Sequence, residues 1–201
     1  MNAPQRVRVA GTVYAVGGLL WLVLTAVLAV VFGGDPPGTS PAFVPSQVLY
    51  IILQVLLLGG FVGVYWSHGV RGVFGQIAFG LGVLGHLVFV AGEAHSLFIG
   101  ANSDLVALGA LVSSVGILLT GIAVLVAKGW QGWPRWMPLL TGAYPFVFMF
   151  PFLIIYGDPS SFAIAGWGVP RLLLGLAICA QANAMPTTTS PTDVKLSQRS
   201  A

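Results

Sequence analysis

The chain contains one cysteine, one glutamate and three histidines in 201 residues, and only 6% of it is charged. Each scarcity excludes a class of chemistry. Cys179 alone forms no intramolecular disulfide and no Cys-x-x-Cys pair, and a lone thiol in an apolar helix reads as packing. With Glu93 as the sole glutamate, a carboxylate-built dinuclear metal centre lacks ligands. A bis-histidine haem needs two histidines at like depth on different helices, whereas His86 lies mid-segment and His68 and His95 near opposite segment ends. Neither a Gly-x-Ser-x-Gly elbow nor a phosphate-cradling Gly-x-x-x-x-Gly-Lys loop occurs. No metal and no cofactor is predicted. An enzyme acting on a lipid would need a partner for His86, and Ser113 or Ser114 are the only candidates.

The shortage of charge also excludes a soluble domain, which carries about 25% charged residues. Apolar residues make up 57% of the chain, and mean hydropathy is +0.93. A spanning helix needs roughly 20 apolar residues. Six segments meet that length, at about 9–32, 46–66, 73–99, 105–127, 137–156 and 161–182. The expected fold is an all-α, polytopic bundle of six transmembrane helices in one domain, 1–184. A polar, proline-marked cytoplasmic tail at 185–201 is expected to be disordered. The first segment has too long an apolar run for a secretory signal and reads as a retained anchor.

The net charge of +3 follows topology. Arg6, Arg8, Arg71, Lys128, Arg135, Lys195 and Arg199 fall on one set of connections, and Asp35, Asp104 and Asp158 on the alternate set. Basic residues mark cytoplasmic loops, so both termini are expected inside. The expected location is the plasma (inner) membrane of a bacterium, with the lipid bilayer as partner and no nucleic acid. A homo-oligomer or a partner membrane protein is a further expectation. It rests on the Gly59/Gly63 pair and on the loop carrying Trp130, Trp133 and Trp136. Segment five carries Pro145 and Pro151, which should bend it, and its freed carbonyls then require protein or water around them.

Segment three organises the rest. At 100° per residue, Gly75, Ala78, Phe79, Gly82, Gly85, His86, Phe89, Gly92, Glu93 and Ser96 share an arc of about 140°. Ile77, Leu81, Leu84, Leu87, Val88 and Ala91 lie opposite. Small residues admit a neighbouring backbone, so the first face should meet protein and the second lipid.

That face carries an acid and an imidazole, and Arg171 lies inside segment six. A charge at mid-membrane costs about 2.5–3.5 kcal/mol on insertion scales, so such groups face the interior. At 1.5 Å per residue, Glu93 lies roughly 9 Å, Arg171 roughly 15 Å and His86 roughly 20 Å from the outer ends of their helices. Glu93 and Arg171 are within reach of one another. Two readings stay open: a structural cross-link between segments three and six, or an outward-facing pocket for a small ligand, lipid or proton. In the second, Glu93, His86 and Arg171 are the ligand-binding or proton-handling residues, and Gln54, Tyr144 and Met149 line the pocket. The rival is an accessory subunit that holds a partner protein.

Overall fold

A computed structural model of the chain describes residues 1–157 and 160–185. The expectations for Asp158 and for the tail at 186–201 lie outside them. Among the described residues there are six helices long and apolar enough to cross a membrane: α1 (Ala3–Phe32), α2 (Phe43–Trp66), α3 (Gly72–Ile99), α4 (Asp104–Ala127), α5 (Trp133–Tyr156) and α6 (Ser161–Ala184). α1 starts earlier than its apolar run, because Asn2 and Gln5 form a reciprocal capping box around Pro4. That pair satisfies donors that a helix start leaves free.

Each helix packs on its neighbour in sequence, and α6 returns to α1, so the six close into a ring. The closest seams are α3 on α4 and α1 on α6. Glycine explains both. A Cβ on Gly85 would strike the Ser113 backbone, and one on Gly116 the Gly82 backbone. On the other seam a Cβ on Gly18 would strike Leu172 and one on Gly175 would strike Ala15. Helices this close gain van der Waals contact along their length, which stands in for the hydrophobic force that is missing between apolar phases.

The α3 arc read from the sequence is the buried one. Gly75, Ala78, Gly82, Gly85, His86, Phe89, Gly92, Glu93 and Ser96 are buried, while Ile77, Leu84 and Leu87 are exposed. The Gly59/Gly63 pair needs correction. Gly59 faces open space, and its neighbour Gly60 is the residue pressed on the Tyr14 backbone. Gly63 meets Ala10 and Ile178 of the same chain, so the two glycines do not share one helix crossing. Trp130 is also internal: it is buried and donates from Nε1 to Ser67 Oγ at 3.0 Å. Trp133 and Trp136 are exposed, with the Arg135 guanidinium 5.1 Å from the Trp136 ring.

α5 breaks the regularity. It opens as a tight turn at Trp133–Trp136 and widens to π geometry at Pro145–Met149. Pro145 and Pro151 have no N–H to offer and crowd the preceding turn, so the backbone widens there. Beyond the π turn, Phe150–Tyr156 buries no residue. The outer half of α5 therefore stands off from the ring.

Candidate functional site

Proline and glycine in α6 set the geometry of the site. In the run Gly166-Trp-Gly-Val-Pro170-Arg171 the helix is interrupted at Trp167, between Ser161–Gly166 and Gly168–Ala184. Side chains from other helices take the carbonyls around the break. Trp21 Nε1 donates to Ile164 O, Tyr144 Oη to Ala163 O and Thr141 Oγ1 to Pro170 O, each at 3.0 Å. Trp167 Nε1 in turn donates to Thr141 O at 3.0 Å. That carbonyl is the one a regular helix would give to residue 145, where proline has no N–H. The two helix breaks are thus stitched together, and they hold the Trp167 indole toward the middle of the ring.

A cavity of about 390 Å³ lies inside the ring, toward the ends of the helices at Phe32, Ile99 and Tyr156. All six helices contribute to its wall, among them Trp21, Tyr50, Glu93, Val106, Met149 and Trp167. Its polar groups are largely acceptors. Asp35, Glu93 and Asp104, three of the chain's five acidic residues, line it. Tyr50 Oη donates to Asp35 Oδ1 at 2.9 Å, tying the α1–α2 connection over the cavity. Gly38 of the same connection rests on the Gly100 carbonyl across the mouth. Burial pushes the Asp35 carboxyl above its ordinary range, and the Tyr50 hydrogen bond offsets part of that rise. The α3–α4 connection is fixed by Ser103 N donating to Ser96 Oγ at 3.0 Å and by a 2.9 Å contact between His95 Nδ1 and Ser103 Oγ.

Behind the cavity lies a second polar group, fully enclosed. Arg171 is 0% exposed, and its Cζ lies 3.6 Å from the Trp167 ring centroid and 4.2 Å from that of Trp21. The two indoles stand nearly perpendicular, at 83°, and both also face the cavity, so they form a wall between it and the guanidinium. His86 and Gln54, each 0% exposed, pair through Nδ1 and Oε1 at 2.8 Å. The Tyr14 phenol is also fully buried, one helical turn before Gly18, which rests on the Arg171 backbone. None of Arg171 Nε, Nη1 and Nη2, Gln54 Nε2, His86 Nε2 or Tyr14 Oη has a hydrogen-bond partner among the described residues. Burying an uncompensated ion costs several kcal/mol even after relaxation. Two desolvated cation–π contacts return about 2 kcal/mol each. The aromatic clamp offsets part of that cost but gives the guanidinium no hydrogen-bond acceptor.

The residues expected from the sequence separate into these two regions. Glu93 and Met149 line the cavity. His86, Gln54 and Arg171 lie in the enclosed cluster, and Tyr144 holds the α6 break. Glu93 and Arg171 do not pair: the guanidinium meets indoles, and no hydrogen bond joins it to the carboxylate. Sequence reasoning did not single out Trp21, Trp167, Tyr14 or Tyr50 for the interior, or Asp35 for the cavity mouth. One signal was available, since Tyr14, Gly18 and Trp21 recur at helical spacing on the face of α1 that meets α6. Comparison with protein-family models, with curated proteins and with solved structures finds no match to this chain.

Proposed function

We propose that this chain is a multi-pass plasma-membrane protein that binds a small amphiphilic ligand in the cavity of its helix ring, entering from the non-cytoplasmic side. The orientation rests on the basic residues of the connections opposite the cavity, Arg71, Lys128 and Arg135, under the positive-inside rule. One observation carries the reading: a cavity lined by every helix, apolar and aromatic in its walls, with acceptors at one end. Ligand sites combine such walls with a few oriented polar groups, in volumes of about 300–1,000 Å³. Carboxylates beside indole and phenol faces favour a positively charged or proton-donating head group. Glu93 is the ionisable contact for that head. Arg171 sets the field from behind the indole wall, and His86 is the deeper titratable group, its Nδ1 held against Gln54 Oε1.

No reaction is assigned to the cavity. Ser114 lines it, but its hydroxyl donates to Ala110 O at 2.6 Å. The test is a screen of long-chain primary and quaternary amines against the purified protein, read by tryptophan fluorescence, since Trp21 and Trp167 form the cavity floor. Saturable binding by wild type and its loss in Glu93→Gln, with an unchanged folded fraction, is the expected result. Absence of any response to amines, with a stoichiometric protein partner co-purifying from native membranes, would favour the accessory-subunit reading. The exposed Trp133 and Trp136 faces are the surface that supports this rival.

A further inference from the structure

The enclosed cluster behind Trp21 and Trp167 has a chemistry of its own. Arg171 carries only donors, and none of its nitrogens is used. Gln54 adds a free amide NH₂ and Tyr14 a free hydroxyl. With His86 Nδ1–H donating to Gln54 Oε1, the acceptors left are His86 Nε2 and the phenol oxygen, so donors far outnumber acceptors. Four helices supply these groups: Tyr14 from α1, Gln54 from α2, His86 from α3 and Arg171 from α6. Each side chain is 0% exposed. Glu93, the nearest carboxylate by helical depth, lies on the cavity side of the indole wall.

The geometry points to an occluded binding site for a small monovalent anion of the halide class, held by the Arg171 guanidinium with the Tyr14 hydroxyl and the Gln54 amide. An anion supplies what the cluster lacks: acceptor capacity for several donors at once, and a negative charge beside a buried positive one. Water would accept hydrogen bonds but leave the charge uncompensated. The enclosure limits size. Trp21 and Trp167 close one side, and Leu57, Phe61 and Leu174, each 0% to 3% exposed like the two indoles, pack around the same helices. A phosphate or a ligand carboxylate with its carbon skeleton would have to displace that wall. This site stands independently of the amine-binding reading of the cavity, because it lies behind the wall and uses none of the carboxylates.

The experiment compares protein purified and reconstituted in chloride, in bromide or in gluconate at equal ionic strength. Thermal unfolding midpoints should be several degrees higher in either halide than in gluconate and should rise with the logarithm of halide concentration. Crystals grown in bromide should show an anomalous peak within hydrogen-bond reach of Arg171. Tyr14→Phe removes one donor and nothing else from the core, and it should weaken the halide response at least tenfold. Arg171→Met should abolish it, and where that variant fails to fold, Tyr14→Phe and the anomalous signal decide. Equal midpoints in all three salts with no bromide peak would overturn the site in favour of bound water alone. A phospholipid phosphate found against Arg171 would overturn it in favour of a lipid counter-charge.

Discussion

The cavity and the arginine cluster lie on either side of two indole rings, yet they are built on opposite terms. The cavity is open toward one end of the ring, lined by carboxylates and bordered by the half of α5 that buries nothing. The cluster is shut, rich in donors, and enclosed between α1, α2, α3 and α6 beside the tight α1–α6 seam. The contrast teaches that polarity inside an apolar ring follows helix spacing. Where glycines draw backbones together, a polar side chain is sealed in and must find its complement inside. Where prolines push a helix outward, polar side chains keep an opening and can meet a molecule that arrives later.

The strongest way to break this division is to open the α1–α6 seam. Gly18→Leu would drive a side chain into the Leu172 backbone beside Arg171. The cost should reach or pass the upper end of the roughly 1–3 kcal/mol seen for overpacked cores, because backbone has nowhere to move. Both regions should be lost together, seen as a collapse of the monodisperse fraction in size-exclusion chromatography. A monodisperse variant of wild-type stability would contradict the seam.

Removing the wall itself comes next. Trp167→Ala should destabilise by about 3–5 kcal/mol through the void it leaves, and should let an added anion reach Arg171 from the cavity side. Trp167→Phe keeps a ring over the guanidinium but leaves the Thr141 carbonyl without its donor, so about 1–3 kcal/mol is expected. Chemical denaturation in mixed micelles separates the two. Equal losses would mean that the ring contributes little beyond its hydrogen bond.

Glu93→Gln sharpens the comparison from the cavity side. It should leave unfolding within about 1 kcal/mol of wild type, as Glu93 makes no ion pair among the described residues, and reduce affinity for an amphiphilic amine by roughly ten- to a hundredfold, the worth of a charged hydrogen bond. Halide-dependent stability should not change. A coupled loss of both responses would show that the indole wall does not separate the two regions.

The smallest effect is at the mouth. The folded protein holds the Asp35 carboxyl above its ordinary range through burial. A raised folded-state value contributes stability that is full below the unfolded-state value near 3.9 and is lost as pH rises through the folded one. At neutral pH the charged form therefore carries a cost. Asp35→Asn, which still accepts from Tyr50, should raise stability by ~0.5 kcal/mol at pH 7–8, and the gain should vanish toward pH 4. A gain that grows on acidification would reverse the sign and refute the burial account.

Composition and helical period alone established the six apolar helices and, on α3, which side is inside. Both are properties of a single segment: how many apolar residues it strings together and at what angle small and large side chains recur. That is why Glu93 and His86 were legible as interior groups before any neighbour was known. Who meets whom was decided by tertiary structure. Gly60 rather than Gly59 faces α1, and Arg171 is matched with Trp21 and Trp167 rather than with Glu93. Likewise Gln54 belongs with His86 and Tyr144 with the break in α6. Those pairings depend on the axial rotation and stagger of one helix against the next, which glycine contacts and proline breaks set jointly across the ring, and no period within one segment encodes them.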